Sequence, residues 1–464
     1  MTETASYSPP LPPSTFREHL RATVKLGVPL VIMQVTQMLV NVTDTLMVGW
    51  LGVEELAAGV LAFQTLFVVL IFALGISAAL MPLVAGAMAK GDTQAVRRST
   101  RMCLWVLLIV VCLFVLPLGF GEQILLALGQ KPELAAMAQT YIEIARWSLI
   151  PAFLFTGLRN FLTSIEQTRA ILWITIAMAV LNAFLNYALI FGNFGAPRLE
   201  LEGAAIATCI ANSAALIALA LYVQFSRVAR PYALFQRFWR PEWPAFFEVF
   251  KLGLPIALTI LAEVGLFTGV SLMIGWLGAV PLAAHGIALQ LASITFMVPL
   301  GLSQAAAVRV GNAVGRGDRN AIGLAARAAM ALGVGFACLA ALIFLLFPRP
   351  LVSLYLEADG PQVTEVLATA TALLFMAALF QIFDTMQVTS LANLRGLKDT
   401  NAPFTIAAIS YWPIGLGTAY VLGFALGFGA VGIWAGLVAG LAVASAWLTW
   451  RFSRREQLGL IPAA

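Results

Sequence analysis

Apolar runs of about twenty residues recur along the whole chain, each broken by a short polar segment. A helix needs about 20 apolar residues to cross the hydrocarbon core of a bilayer. Windows of that length predict twelve membrane-spanning helices. Six lie near 25–48, 58–87, 102–121, 138–162, 169–192 and 203–225. Six more lie near 250–276, 283–312, 322–347, 364–394, 402–427 and 430–452. Several exceed the minimum, which implies tilt or extension beyond the hydrocarbon.

The pattern is duplicated. Lys25–Arg101 lies over Lys251–Arg327 without a gap, with roughly a third of positions identical, far above chance for so long a match. TLMVGWLGVEELAA (Thr45–Ala58) matches SLMIGWLGAVPLAA (Ser271–Ala284), and Pro29 matches Pro255. The acids inside the apolar parts do not repeat: Asp44 stands opposite Val270, and Glu263 opposite Gln37. Each half carries six spans, so the halves share one orientation, as parallel repeats about an axis along the membrane normal. The expectation is an all-α membrane protein of twelve transmembrane helices in two six-helix lobes. A disordered N-terminus (1–16) precedes an N-lobe (17–225). A cytoplasmic linker (226–245), a C-lobe (246–455) and a short tail (456–464) follow.

Composition agrees with the periodicity. The chain is 61% hydrophobic and 11% charged, with a mean hydropathy of +0.92. Soluble domains carry about 25% charged residues, so no large soluble domain is expected. The net charge of +5 resembles a nucleic-acid signal until the charges are placed on the spans. Of 27 basic residues, 22 fall on one side, three (Lys131, Arg198, Arg349) on the other, and two (Arg146, Arg159) inside the fourth span. Basic loops stay in the cytoplasm. Both termini are therefore assigned to the cytoplasm and the protein to the inner (plasma) membrane. Acids gather on the outer side, at Glu54, Glu55, Glu200, Glu202, Glu357 and Asp359. No signal-peptide pattern precedes the first span. Arg316-Gly317-Asp318 matches Lys90-Gly91-Asp92 in the repeat and reads as a helix-end turn, not an adhesion motif.

Little enzymatic chemistry is available. The sequence holds no P-loop, HExxH or Ser-His arrangement. Its four cysteines lie in apolar runs without metal-type spacing, and two histidines, His19 and His285, do not complete a zinc site with them. No cofactor or nucleic-acid partner is expected.

The informative residues are four acids inside spans: Asp44, Glu143, Glu263 and Asp384. A charge at the bilayer centre costs on the order of 3 kcal/mol on the insertion scale. Glu143 has Arg146 three residues on, so a local ion pair is expected. Arg159 lies near the inner end of its span, where it is expected to reach the interface. Asp44, Glu263 and Asp384 have no basic residue at helical spacing. Each must bind a cation, find distant partners or take up a proton. In span five, Asn182 and Asn186 are four residues apart on one helix face. With Asp44 and Gln37 they form a candidate polar site of hard oxygen ligands. In the second lobe, Gln381, Thr385 and Gln290 are candidates to complement Glu263 and Asp384, a possible sodium site.

These residues carry a family resemblance. The stretch Pro29–Gly49 with VTDTLMVGWLG, the region Gly157–Arg169, Glu263 in span seven, and QIFDTMQ with LRGLKDT (Gln381–Thr400) resemble the multidrug and toxic compound extrusion (MATE) family, in its NorM-like branch. The resemblance implies a V-shaped pair of bundles around a central cleft. It implies a monomeric transporter that exports amphipathic, mainly cationic drugs and dyes against inward flow of sodium or protons. Asp44 matches the family's N-lobe acid, and Glu263 and Asp384 match its C-lobe acids. Some relatives carry a second N-lobe acid on helix five, where this chain has Asn182 and Asn186; that difference shifts coupling toward the C-lobe. A lipid-linked oligosaccharide flippase shares the architecture. Its anionic pyrophosphate substrate would call for buried arginines, whereas acids dominate here.

Overall fold

The computed structural model describes residues 13–356 and 363–461. Most of the segment expected to be disordered, the end of the tail, and the acids Glu357 and Asp359 lie outside the described residues. Among the described residues the chain is helical throughout. Eleven helices are long and apolar enough to cross a membrane. In the first half these are α1 (Phe16–Gly49), α2 (Val53–Ala89), α3 (Thr93–Ala127), α5 (Thr168–Phe191) and α6 (Glu200–Phe225). In the second half they are α7 (Trp243–Gly275), α8 (Ala279–Arg316), α9 (Arg319–Leu346), α10 (Val363–Gly396), α11 (Asn401–Ala425) and α12 (Gly429–Ser453). The twelfth span, α4, comes in two pieces, Pro132–Ala145 and Leu149–Ser164, joined by a tight 3-10 turn at Arg146–Ser148.

That turn changes the expected charge pairing. Among the described residues no ion pair joins Glu143 to Arg146; Glu143 is exposed. The Arg146 guanidinium lies over the Trp147 ring, 5.4 Å from its centroid, and packs against Gly119. Arg159 is half-buried, with its Nε enclosed and without a hydrogen-bond partner.

Local chemistry fixes the helix ends, and it repeats across the two halves. Asp92 accepts a hydrogen bond from Ala95 N (2.8 Å) and caps α3; its equivalent Asp318 accepts from Ala321 N (2.9 Å) and caps α9. The preceding glycines, Gly91 and Gly317, take φ of 73° and 71°, a left-handed turn that costs other residues more than glycine. The Arg-Gly-Asp tripeptide is thus a helix-end turn. At the other end of the bundle, Trp50 and Trp276 close α1 and α7 in the same geometry. Ser14 and Thr15, which sequence assigned to the disordered segment, form a capping box with Glu18 at the start of α1.

Two apolar cores result: one fills the second half, and the other fills the first half and extends across the seam to Ala305–Val308, Ala329 and Ala392. The lobes meet where α1 packs on α8 and α9, and α2 on α7 and α8. The close approaches cluster at the end of the helices that carries the basic loops. There Gly301 of α8 lies so near α1 that a Cβ would stand 2.6 Å from Val31 N, and one on Gly253 of α7 would stand 2.6 Å from Ile76 Cα of α2. Gly315 likewise faces Gly86. Small residues allow this backbone contact, which dispersion then stabilises inside lipid. Two polar bonds close the same end. Arg309 of α8 donates from Nη2 to His19 Nδ1 of α1 at 2.7 Å, with both residues buried. Asn312 donates to Glu166 at 3.3 Å. Guanidinium only donates, so Nδ1 of His19 must accept.

The linker is docked, not loose. Arg101 of α3, 4% exposed, binds the Glu242 carboxylate and donates to Arg237 O at 3.1 Å. Trp105 donates to Phe238 O at 2.9 Å and stacks on its ring. Helix α7 starts at Trp243, inside the interval that sequence gave to the linker. Its first turns therefore sit on the N-lobe, whereas its remainder packs on α11 and α12.

Replacing Gly253 by Leu should force the lobes apart at the basic-loop end. Leu302, 7% exposed and packed on Gly27, supplies the readout. A cysteine placed there, in a chain with its four native cysteines replaced by alanine, should react with a water-soluble maleimide several-fold faster in Gly253→Leu. Equal rates would show that this contact does not hold the lobes together.

Candidate functional site

The N-lobe cluster forms as its spacing suggested. Packing of α1 against α5 brings Asp44 to Asn186, whose Nδ2 donates to Asp44 Oδ1 at 2.5 Å and approaches Asn182 Oδ1 at 3.3 Å. Asn182 and Asn186 are buried. Asn186 Oδ1 is also buried and has no hydrogen-bond partner. One residue not foreseen lies beside the cluster: Tyr141 of α4 is within electrostatic range of Asp44. Gln37 is exposed two turns away on α1 and takes no part in these bonds.

The C-lobe cluster centres on α10. Gln381, Asp384 and Thr385 are each at most 3% exposed. Positions i, i+3 and i+4 share one helix face. Gln381 donates from Nε2 to Ala292 O (2.9 Å) and Thr295 Oγ1 (2.5 Å) of α8, which fixes its amide and turns Oε1 away from them. That oxygen, Asp384 Oδ1 and Thr385 Oγ1 are all buried without a hydrogen-bond partner. Buried polar atoms nearly always find a partner. Three such oxygens lie on one helix face, and hard oxygen donors suit a small hard cation.

Glu263 approaches this cluster from α7. It lies within electrostatic range of Asp384, of Arg395 at the end of α10, and of Tyr411 on α11. No direct ion pair joins these groups among the described residues. Tyr411 enters because α11 widens into π-helical turns at Ser410–Leu416, with Pro413 inside. Proline has no N–H to continue the α-helical ladder, and π-turns recur at functional positions. The Tyr411 hydroxyl receives a hydrogen bond from Gln387 Nε2. Gln290, proposed for this cluster, is exposed on α8 and makes no contact with it in the described hydrogen bonds.

His285 has a different task. Trp434 donates from Nε1 to His285 Nδ1 at 3.1 Å, and His285 Nε2 lies 2.9 Å from Ser271 Oγ. Indole nitrogen only donates, so Nδ1 accepts and Nε2 carries the proton to Ser271. The Ser271 hydroxyl in turn donates a hydrogen bond to Phe267 O at 2.9 Å. Every group in this chain of bonds is satisfied, which leaves nothing to bind a ligand. It ties α7, α8 and α12 together beside the acids.

Two bundles of six helices form the architecture of a membrane transporter. The comparisons agree. The MatE family model matches residues 29–188 and again 255–421, starting at the repeat-equivalent prolines. The chain is 49% identical to the "Probable multidrug resistance protein NorM" of Rhizobium meliloti, over 96% of both proteins. It is 47% identical to the protein of the same name from Agrobacterium fabrum, over 94% of this chain and 93% of that one. A crystal structure of a eukaryotic MATE transporter superposes with a TM-score of 0.83 at 20% identity, covering 96% of this chain and 100% of that one. The chain belongs to the MATE family, and it is a transporter, not an enzyme.

Replacing His285 by Phe should strand the Trp434 N–H and Ser271 in an apolar setting, at about 1–3 kcal/mol. The thermal midpoint of the purified protein should fall, while transport persists at a permissive temperature. Full loss of transport with an unchanged midpoint would give His285 a direct part in function.

Proposed function

We propose that the protein is a secondary multidrug exporter of the inner membrane, moving amphipathic, mainly cationic compounds outward in exchange for sodium or protons. The observation that carries this reading is the face of α10 with Asp384 Oδ1, Gln381 Oε1 and Thr385 Oγ1 buried and unpartnered. An intramembrane carboxylate is retained at a cost, and a cation or proton that comes and goes is what offsets it. Glu263 adds a second negative charge from the neighbouring helix. The name of the curated relatives, multidrug resistance protein, supports the drug as the other cargo.

The charge bias of 22 basic residues against three supports a cytoplasmic position for the basic loops and both termini. On that orientation the lobes are closed toward the cytoplasm, held by the Gly301–Val31 approach and the His19–Arg309 bond, and access is from outside. Cation and drug exchange by differential affinity: a ligand moves the inward-open and outward-open populations only to the extent that it binds them unequally. Aromatic and methionine side chains of the cleft would hold the drug, with the acids favouring positive charge. The N-lobe site of Asp44, Asn182 and Asn186 has one carboxylate tied up by a 2.5 Å amide bond, so the C-lobe carries the larger share of coupling.

Asp384→Asn removes the charge and keeps the shape. Dye efflux driven by an imposed sodium or pH gradient in reconstituted vesicles should fall to the level of protein-free vesicles, with an unchanged thermal midpoint. Efflux at the wild-type rate from a correctly inserted Asp384→Asn protein would sink the assignment.

A further inference from the structure

The buried polar face of α10 does not stop at Asp384. Gln381, Thr385, Thr389 and Asn393 follow at intervals of four, the spacing of a single ridge on a helix. Each is at most 3% exposed. Each carries a buried oxygen without a hydrogen-bond partner: Gln381 Oε1, Thr385 Oγ1, Thr389 Oγ1 and Asn393 Oδ1. The threonines are the telling members. A helical threonine normally returns its hydroxyl to the carbonyl four residues back. Thr23, Thr100, Thr156 and Thr259 all do so here, at 2.7–2.9 Å. Thr385 and Thr389 do not, although the same carbonyls are present. Their hydroxyls are turned away from their own backbone.

The ridge faces α9 at Gly333. A Cβ placed on that glycine would stand 3.0 Å from Thr385 Cγ2 and 3.5 Å from Thr389 Oγ1. On the α8 side, the Gln381 amide holds Ala292 O and Thr295. All three helices belong to the C-lobe, so the ridge lies between helices of one lobe. From Asp384 to Asn393 it covers nine residues, about 13 Å at 1.5 Å per residue, toward the basic-loop end. The next position in the series, just past the end of α10, is Leu397, 7% exposed and apolar, an apolar cap to the series at that end.

We propose that this ridge is the inner route of the coupling cation, a hydrated ladder of hydroxyl and amide oxygens between the Asp384 site and the basic-loop face, separate from the path of the drug. It rests on the reading that Asp384 couples a cation to export. Unpartnered oxygens spaced one turn apart supply a small hard cation, or a water chain carrying a proton, with successive partners of similar strength. The Leu397 cap keeps the route shut while the lobes are closed at this end, so that the cation does not leak without the lobe movement. Gly333 lets α9 approach the ridge closely, so that a side chain added there would press on Thr385 and Thr389.

The test uses full-length protein in vesicles, with ethidium as the drug and sodium-22 or a pH-sensitive dye reporting the cation. Thr389→Val and Asn393→Leu should each lower the maximal rate of exchange about five-fold, the value of one hydrogen-bonding group on the route. The KM for ethidium and the concentration of cation giving half-maximal rate should not change. Thr389→Ser should restore the rate, and Gly333→Val should reproduce the defect from the facing helix. Running the sodium and pH gradients separately tells which cation uses the ladder. Wild-type rates in the Thr389→Val, Asn393→Leu double variant would overturn the route. So would an equal defect in Thr389→Ser. If Asp384→Asn itself still couples, the underlying reading fails; if Asp384→Asn is inactive while the double variant is not, the route alone fails.

Discussion

A carboxylate cannot rest unpartnered inside hydrocarbon, and the structure is arranged around that constraint. Asp384 sits two-thirds of the way along α10 with a buried oxygen that nothing in the protein satisfies. Its neighbours one turn away are held in place on the same face, Gln381 by two bonds to α8 and Thr385 by packing against Gly333 of α9. Glu263 comes from α7, and Tyr411 from a widened turn of α11. Five helices of one lobe thus converge on a centre that holds two acids, with Arg395 in electrostatic range of Glu263.

The other constraint is mechanical. The lobes touch at one end, through close glycine approaches, two polar bonds and an apolar seam that runs from Leu26 and Leu30 to Ala305–Val308. Contacts of that kind give two packings of similar energy, which is what a population shift requires. Helix α7 links the two problems. Its first turn is tied through Glu242 to Arg101 of the N-lobe, it contains Pro255, and it carries Glu263 to the C-lobe site. A change in charge at Glu263 therefore acts on a helix already anchored to both lobes.

Much of this is visible in the sequence because it is local or periodic. The twelve spans follow from hydropathy, and the paired helix caps at Asp92 and Asp318 follow from the repeat. Asn182 and Asn186 share a face by their spacing, and so do Gln381, Asp384 and Thr385. The distant pairs are not legible. Nothing local says that His19 meets Arg309 across 290 residues, that Trp434 finds His285, or that Arg101 holds the linker, because each depends on how helices pack. The Glu143–Arg146 pair fails for the same reason: the right spacing is present, but the 3-10 turn gives the guanidinium an aromatic face nearby. Gln37 and Gln290 have suitable chemistry and sit on exposed faces that periodicity alone did not assign.

The coupling of cation to lobe position is most directly measured as a distance. Trp50 and Trp276, repeat equivalents at the open end of the two lobes, are 66% and 69% exposed and accept spin labels as cysteines. Pulsed electron resonance in lipid nanodiscs would record the distance distribution as sodium, and separately protons, are added. The account predicts that one of these cations redistributes two populations in the wild-type sequence and leaves the distribution of Asp384→Asn fixed. The same redistribution in Asp384→Asn, or none with either cation in the wild-type protein, would contradict it.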